Sequence, residues 1–152
     1  MELISNPTDF ADMKQRRPEE LSRILIVEDD DLLRVTISDF LCEAGFRTRQ
    51  ACCAEEALSL LEKPGIADEI AALVTDVDMP GDLDGVGLAA LVRESWPHMG
   101  IVVTSGAHSG AALLLRKPAL FLPKPFGSER LIAAVRAVIE PQFAPMEHRR
   151  AS

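Results

Sequence analysis

One stretch of the sequence, Ala71–Pro80 (AALVTDVDMP), constrains the fold of the chain most strongly. Four apolar residues are followed at once by Thr75, Asp76 and Asp78, and Pro80-Gly81 then interrupts any regular backbone. An apolar run of this length between turn signals is typical of a strand buried on both faces of a parallel sheet. Because ligands of open α/β sheets bind outside the carboxyl ends of the strands, Asp76 is predicted at a sheet rim, where its carboxylate is available for chemistry. On this stretch alone, Asp76 and Asp78 could equally be acids that solvate a turn.

The rest of the chain alternates apolar runs with segments of helical periodicity, which is the pattern of a parallel sheet covered by helices on both faces. Five strands are predicted, at Arg23–Val27, Phe46–Ala51, Ala71–Val74, Ile101–Val103 and Ala119–Leu122. Five helices are predicted. The first has Asp30 or Asp31 as its N-cap, the second spans Ala54–Lys63, and the third is capped by Asp84. The fourth spans Ala111–Arg116, and the fifth has Ser128 at its cap and Pro141 beyond its end. The predicted fold class is therefore α/β, with an open doubly wound sheet.

Charge and hydropathy exclude several classes of partner. The net charge of -8 argues against a nucleic acid as a direct partner, because phosphate backbones require clustered Lys and Arg. No apolar run approaches the roughly 20 residues that cross a bilayer. Residues 1–20 are polar and acidic without an apolar centre, so they do not form a secretory signal peptide. A cytoplasmic location without membrane contact is expected.

A chain of 152 residues suits a single domain with a substantial core. We expect a flexible extension at 1–22, a folded domain at 23–140 and a polar tail at 141–152. About a dozen residues follow the last predicted helix, which is too few for a helix-turn-helix module. No output domain is expected.

Charged and hydroxyl side chains follow four of the five predicted strands, and these strand ends converge on one edge of such a sheet. These side chains are those of Glu28 and Asp29 after the first strand, Asp76 after the third, Thr104 after the fourth and Lys124 after the fifth. Carboxylates so close together raise one another's pKa and lower stability, which is a poor arrangement for folding alone. Mg²⁺ relieves this repulsion, since it takes oxygen ligands and usually acts beside a phosphoryl group. The ammonium and the hydroxyl would then bind phosphoryl oxygens.

Four segments at these strand ends, ILIVEDD, LVTDVDMP, VVTSG and FLPKPF, occur in this order along the chain. Together they resemble the receiver domain of two-component response regulators, over roughly Arg23–Glu140. The resemblance implies a flavodoxin-like sheet with strand order 2-1-3-4-5 and five helices. With no output domain expected, the chain resembles the stand-alone, single-domain members of that family.

The resemblance assigns the acids of the edge to two tasks. Asp76, which heads the D-x-x-M-P signature, matches the phosphoacceptor. Mg²⁺ would be bound by Asp29, by Asp76 and by the backbone carbonyl of Asp78, while Glu28 would act through a metal-bound water. A phosphoryl group would come from a sensor histidine kinase or a histidine phosphotransfer protein.

The resemblance also assigns the switch. Thr104 matches the switch hydroxyl, Lys124 the phosphate-binding lysine, and Phe121 the aromatic side chain that changes rotamer. Asp78 and Gly106 match the positions that tune the lifetime of the phosphoryl group. The face made by the fourth helix, the fifth strand and the fifth helix would then signal to a downstream protein. Such a protein promotes its own phosphorylation and dephosphorylation but is not a metabolic enzyme.

Two departures from the family pattern bear on these expectations. Three residues, Gly81–Leu83, separate Met79-Pro80 from Asp84-Gly85 where the family usually has two, so this loop is expected to differ in shape. The predicted helix at Ala111–Arg116 is short and lies between Gly110 and Pro118, so we expect a monomer or at most a weak homodimer.

Two other functions fit parts of the sequence. A phosphatase of the haloacid dehalogenase type would use Asp76 and Asp78 as its D-x-D motif. That motif normally lies on the first strand and continues with a hydroxyl residue where this chain has Pro80, and it gives no reason for Glu28 and Asp29. A receiver-like scaffold that is never phosphorylated is the third possibility, although the full set of site residues argues against it.

Overall fold

The computed structural model describes residues 22–106 and 119–143. Five parallel strands form one sheet in the order β2-β1-β3-β4-β5. They are β1 (Arg23–Val27), β2 (Arg47–Ala51), β3 (Ile70–Asp76), β4 (Gly100–Ser105) and β5 (Ala119–Pro123). The predicted fold class and strand order are confirmed.

The described residues form five helices: α1 (Asp31–Glu43), α2 (Ala54–Leu61), α3 (Ile66–Glu69), α4 (Gly85–Ser95) and α5 (Ser128–Phe143). The predicted caps are present at two of them, since the side chain of Asp30 accepts the Leu33 N–H at 3.0 Å and that of Asp84 accepts the Gly87 N–H at 2.9 Å. These bonds satisfy amides that have no partner inside the helix. The acids of the β1–α1 turn therefore also start a helix.

One helix that was not predicted and three helix predictions need comment. The single turn α3 was not predicted, because four residues are too few to show helical periodicity. Helix α2 ends two residues earlier than predicted, before Pro64. The prediction that Pro141 lies beyond the last helix is wrong: α5 starts at Ser128 itself and continues through Pro141 to Phe143, and the φ of about -65° that the proline ring fixes is in the helical range. The predicted helix at Ala111–Arg116 lies outside the described residues.

The core consists of two layers, one on each face of the sheet. Successive residues of β1 point to opposite faces. Leu25 and Val27 belong to a cluster shared with α2 and α4, whereas Ile24 and Ile26 belong to one shared with α1 and α5. All four side chains are at most 1% exposed, which explains why the strand is a continuous apolar run instead of an alternating one. The predicted site lies at the carboxyl ends of the strands.

Among the described residues, no helix has the length and apolar character that a membrane crossing requires.

Candidate functional site

Four strands bring polar side chains to the carboxyl edge of the sheet. Glu28 follows β1, Asp76 ends β3, Thr104 lies in β4 and Lys124 follows β5. Asp76 and Thr104 are direct neighbours in the parallel register of β3 and β4. Glu28, Asp76 and Thr104 are only 2%, 5% and 1% exposed, while Asp29 is exposed. The structure therefore brings the predicted residues together, with the reactive groups recessed behind an exposed acid.

The ammonium of Lys124 lies between two buried carboxylates. Its Nζ is 3.2 Å from Oε1 of Glu28 and 3.3 Å from Oδ2 of Asp76. The backbone holds the lysine in place, since the Lys124 N–H donates to the carbonyl of Ser105 at 2.8 Å. The Lys124-Pro125 peptide bond is cis. One positive charge therefore pairs with two negative charges.

The remaining oxygen of each carboxylate accepts a backbone N–H. Oε2 of Glu28 accepts from Asp30 at 3.0 Å, and Oδ1 of Asp76 accepts from Asp78 at 3.3 Å. These donors come from the turns that follow β1 and β3. Each carboxylate is therefore oriented by its own turn as well as by Lys124, and the edge is organised before any ligand arrives.

Burial dominates the electrostatics of this edge. It raises the pKa of Asp76, and the Lys124 charge offsets only part of that rise. Burial also raises the pKa of Glu28, and the negative charge of Asp76 adds to the effect. For Lys124 burial acts to lower the pKa, but the charges of Asp76 and Glu28 outweigh it and the pKa is raised. The edge carries more negative charge than its own lysine compensates.

The distances between the carboxylate oxygens and their chemistry fit a cation site. One oxygen each from Glu28, Asp29 and Asp76 lie within 4.8 Å of one another. In a six-coordinate Mg²⁺ site, neighbouring ligands are about 2.9 Å apart and opposite ligands about 4.2 Å, given metal–oxygen bonds of 2.0–2.1 Å. The upper limit of 4.8 Å on the distances between the three oxygens is close to that range. The residues present therefore fit a hard divalent cation.

The other predicted residues surround this centre. The side chain of Asp78 is exposed, whereas Met79 beside it is buried. Phe121 is half-buried and pairs in register with Val103 of β4. Gly106 is exposed, and a Cβ added there would meet no atom of the described residues within 4 Å.

Two residues with a structural part in the site were not predicted as such. The N–H of Gly85 donates to the carbonyl of Val77 at 3.1 Å, and a Cβ at Gly85 would collide with the main-chain oxygen of Asp76. The start of α4 therefore packs directly against the end of β3, a contact that only glycine permits. The second residue is Arg34, whose guanidinium donates to the main-chain oxygen of Glu28 at 2.8 Å. An arginine one turn into a helix gives no sequence signal for this contact.

Comparisons with known proteins agree on one family. The family model described as the response regulator receiver domain matches residues 24–136. The sensor kinase CckA of Brucella abortus (strain 2308) is 32% identical over 142 residues, which cover 90% of this chain and 15% of that protein. The response regulator protein FleR of Pseudomonas aeruginosa is 33% identical over 117 residues, covering 75% of this chain and 24% of that protein. The chain thus spans less than a quarter of the length of these two relatives.

A solved structure gives the same result. The response regulator receiver protein from Sinorhizobium medicae WSM419 is 30% identical, with a TM-score of 0.71. The match covers 80% of this chain and 96% of that one. The similarity therefore extends over nearly the whole of the other receiver and over most of the described residues here.

Proposed function

The chain belongs to the response regulator receiver domain family of two-component signalling, and on that basis we propose that Asp76 accepts a phosphoryl group from a phosphohistidine. The donor would be a sensor histidine kinase or a histidine phosphotransfer protein. The observation that carries the proposal is the sharing of Lys124 between two buried carboxylates, at 3.2 and 3.3 Å, beside Thr104. Uncompensated buried negative charge does little to stabilise the fold. Together with one ammonium and one hydroxyl, it is suited to binding a cation and a phosphoryl group.

The proposed transfer has a simple balance of bonds. A carboxylate oxygen of Asp76 forms a bond to phosphorus while the bond between phosphorus and the donor's imidazole nitrogen breaks, and that nitrogen keeps the electron pair. The product is an acyl phosphate, which adds about two negative charges to the edge. Because phosphoryl transfer requires little covalent chemistry from the protein, most of the rate enhancement comes from positioning the reactants and stabilising charge.

Two side chains would receive the transferred group. Lys124 already lies within 3.3 Å of Asp76, so its ammonium needs only a small shift to contact phosphoryl oxygens. Thr104 is the register neighbour of Asp76, so its hydroxyl is close enough to be drawn toward the same group. We propose that this movement leaves space for the half-buried ring of Phe121 to turn inward. The face around β5 and α5 would change and signal to a downstream protein.

Glu28, Asp29 and Asp76 would hold Mg²⁺ in this proposal, with the backbone carbonyl of Asp78 as a further ligand and Glu28 acting through water. When bound, the ion neutralises charge on the equatorial oxygens of the transferring group. The protein orients Glu28 and Asp76 through the backbone N–H groups of Asp30 and Asp78. These two carboxylates are thus held before the donor arrives.

Receiver domains are signalling modules and not classical enzymes, and we propose the same role for this chain. It would act in the cytoplasm as a phosphorelay shuttle or adaptor, without direct contact to nucleic acid or membrane, as a monomer or weak homodimer. The family assignment leaves no support for a phosphatase of the haloacid dehalogenase type. Hydrolysis of p-nitrophenyl phosphate is accordingly expected to be absent.

The direct test is intact-mass spectrometry after incubation with acetyl phosphate. The wild-type protein should gain the mass of one phosphoryl group when Mg²⁺ is present and none when it is chelated. Asp76→Asn should show no adduct. Asp78→Asn, which changes a neighbouring acid in the same way, should keep it. An adduct that survives in Asp76→Asn would remove Asp76 as acceptor, and a wild type that never gains one would favour the scaffold alternative.

A further inference from the structure

The side chain of Arg34 makes three hydrogen bonds that the proposed function does not use. Its Nη1 donates to the main-chain oxygen of Glu28 at 2.8 Å, and its Nε donates to Oε1 of Gln50 at 3.2 Å. Its Nη2 lies 2.7 Å from Oδ1 of Asp31, and the side chain is only 16% exposed. A guanidinium presents its donors in a rigid fork, so three bonds in three directions fix its position.

These bonds tie together the elements around one turn. Glu28 follows β1, Gln50 lies on the edge strand β2, and Asp31 begins α1. The N–H of Glu28 is also bound, to the carbonyl of Ala51 at 3.1 Å, so both main-chain groups of Glu28 are held. The segment between these anchors, residues 28–30, carries the two acids that accompany Asp76 in the proposed cation site.

Arg34 acts on a cation at this site in two opposite ways. Its positive charge repels the ion, although Asp31 at 2.7 Å compensates much of that charge. Its hydrogen bonds hold the turn in the shape that brings the carboxylates of Glu28 and Asp29 to within 4.8 Å of Asp76. The first effect predicts tighter binding when Arg34 is removed, and the second predicts weaker binding.

We propose that the second effect is the larger, and that Arg34 is a positioning residue for the cation site. The inference rests on the proposed function, since it concerns the same Mg²⁺ site. Metal coordination is sensitive to displacements of a few tenths of an ångström, and groups that orient the ligands commonly change affinity by tenfold or more. A compensated charge at the surface side of the turn has a smaller effect than loss of the ligand geometry.

Calorimetric titration of the full chain with MgCl₂ separates the two effects. Arg34→Met should bind Mg²⁺ about tenfold more weakly than wild type. Arg34→Lys keeps the charge but loses the fork, so it should remain weaker than wild type. Arg49→Met is the matched control, because it removes another hydrogen-bonded arginine, paired with Glu69 at 3.1 Å and away from these acids. It should bind Mg²⁺ within about twofold of wild type.

A second measurement needs no metal. In hydrogen exchange, the amide of Asp30, which donates to Glu28 Oε2, should exchange faster in Arg34→Met than in Arg49→Met. A merely structural arginine would lower the free energy of unfolding and leave the Mg²⁺ affinity of the folded protein unchanged. If Arg34→Met does not fold, the Mg²⁺ affinity and the exchange rate of the Asp30 amide are measured on Arg34→Lys instead.

The outcomes distinguish this inference from the proposed function. If Asp29→Ala weakens Mg²⁺ binding while Arg34→Met and Arg34→Lys match or exceed wild type, the positioning role is wrong and the cation site stands. If wild type binds no Mg²⁺, or Asp29→Ala binds as well as wild type, the proposed site is wrong and the inference falls with it. Weaker binding in Asp29→Ala and in both Arg34 variants, with Arg49→Met unchanged, supports both.

Discussion

Two clusters of three charges lie toward opposite ends of the sheet, and each is centred on a shared group. Toward the amino ends of β1 and β3, Oε1 of Glu69 lies 3.2 Å from Nε of Arg23 and 3.1 Å from Nη2 of Arg49. At the carboxyl ends, Lys124 lies 3.2 and 3.3 Å from Glu28 and Asp76. The distances are similar, but the shared group is negative in the first cluster and positive in the second. The surroundings differ, since the side chains of the first cluster are 22–38% exposed, whereas the two carboxylates of the second are 2% and 5% exposed.

This difference in burial decides what each cluster can do. Water and salt screen the excess positive charge beside Glu69, and such exposed pairs contribute about 0–1 kcal/mol. The excess negative charge beside Lys124 has little access to water, so the raised pKa values of Glu28 and Asp76 report a cost to the folded state. A buried charge imbalance that stability does not explain is consistent with a site that is completed by a cation.

The comparison is tested most strongly by removing the shared group from each cluster. Lys124→Met should lower the free energy of unfolding at neutral pH by about 3 kcal/mol, because it leaves two buried carboxylates facing each other. Glu69→Gln should lower it by less than about 1 kcal/mol, because the three side chains of that cluster are partly exposed and their charges are screened. Urea unfolding of both variants provides the measurement. Equal losses would show that burial does not distinguish the clusters.

The effect of pH on Asp76→Asn is expected to be smaller and of opposite sign. Because the folded-state pKa of Asp76 is raised, its contribution to stability is complete below the ordinary carboxyl value near 4 and is lost as the pH rises through the folded-state pKa. The neutral amide avoids this loss. Without metal, Asp76→Asn should therefore exceed wild type in stability at pH 7, on the order of 1 kcal/mol, with a much smaller difference near pH 3.

Thermal unfolding between pH 3 and pH 8 in the presence of a chelator measures this difference. Asp78→Asn is the matched control, because its side chain is exposed and its stability should follow that of wild type. A stability gain for Asp76→Asn that does not depend on pH would mean that charge burial is not its cause.

The smallest predicted effect is on the lifetime of the phosphorylated protein, which depends on how far water enters the buried cluster. Gly106 offers no side chain to shield a phosphoryl group, and the carboxylate of Asp78 could hold a water for attack on phosphorus. A Cβ at Gly106 meets no atom of the described residues within 4 Å, so none of these residues obstructs Gly106→Arg. We expect Gly106→Arg and Asp78→Asn each to slow decay of the phosphorylated protein about threefold, or ~0.7 kcal/mol in barrier height. If neither slows decay, the loop Gly81–Leu83 becomes the next candidate for controlling water access.

The sequence was sufficient to predict the sheet, because strands buried on both faces require continuous apolar runs such as Ile24–Val27. It was also sufficient to place Glu28, Asp76, Thr104 and Lys124 at one edge, since the carboxyl ends of parallel strands converge there. Their proximity is confirmed by the structure, and their chemical roles stay predictions. Strand order was not readable from periodicity and came from the family resemblance.

Other features depend on contacts between distant parts of the chain. Lys124 and Glu28 are 96 residues apart, so no local pattern predicts that one ammonium serves both Glu28 and Asp76. The collision that keeps Gly85 a glycine arises only when α4 packs on the main chain of Asp76. The three bonds of Arg34 likewise need β1, β2 and α1 in place. Sequence patterns therefore locate the chemical groups, and tertiary packing determines how they are held.

The central claim is that the negative charge at the carboxyl edge is balanced by a bound cation, and urea unfolding with and without Mg²⁺ tests it most directly. Without Mg²⁺, Asp76→Asn should be more stable than wild type. At Mg²⁺ about ten times its Kd, wild type and Glu69→Gln should each gain about 1.4 kcal/mol, and Asp76→Asn should gain clearly less, so its advantage disappears. Equal gains in wild type and Asp76→Asn, or no gain in wild type, would contradict the claim.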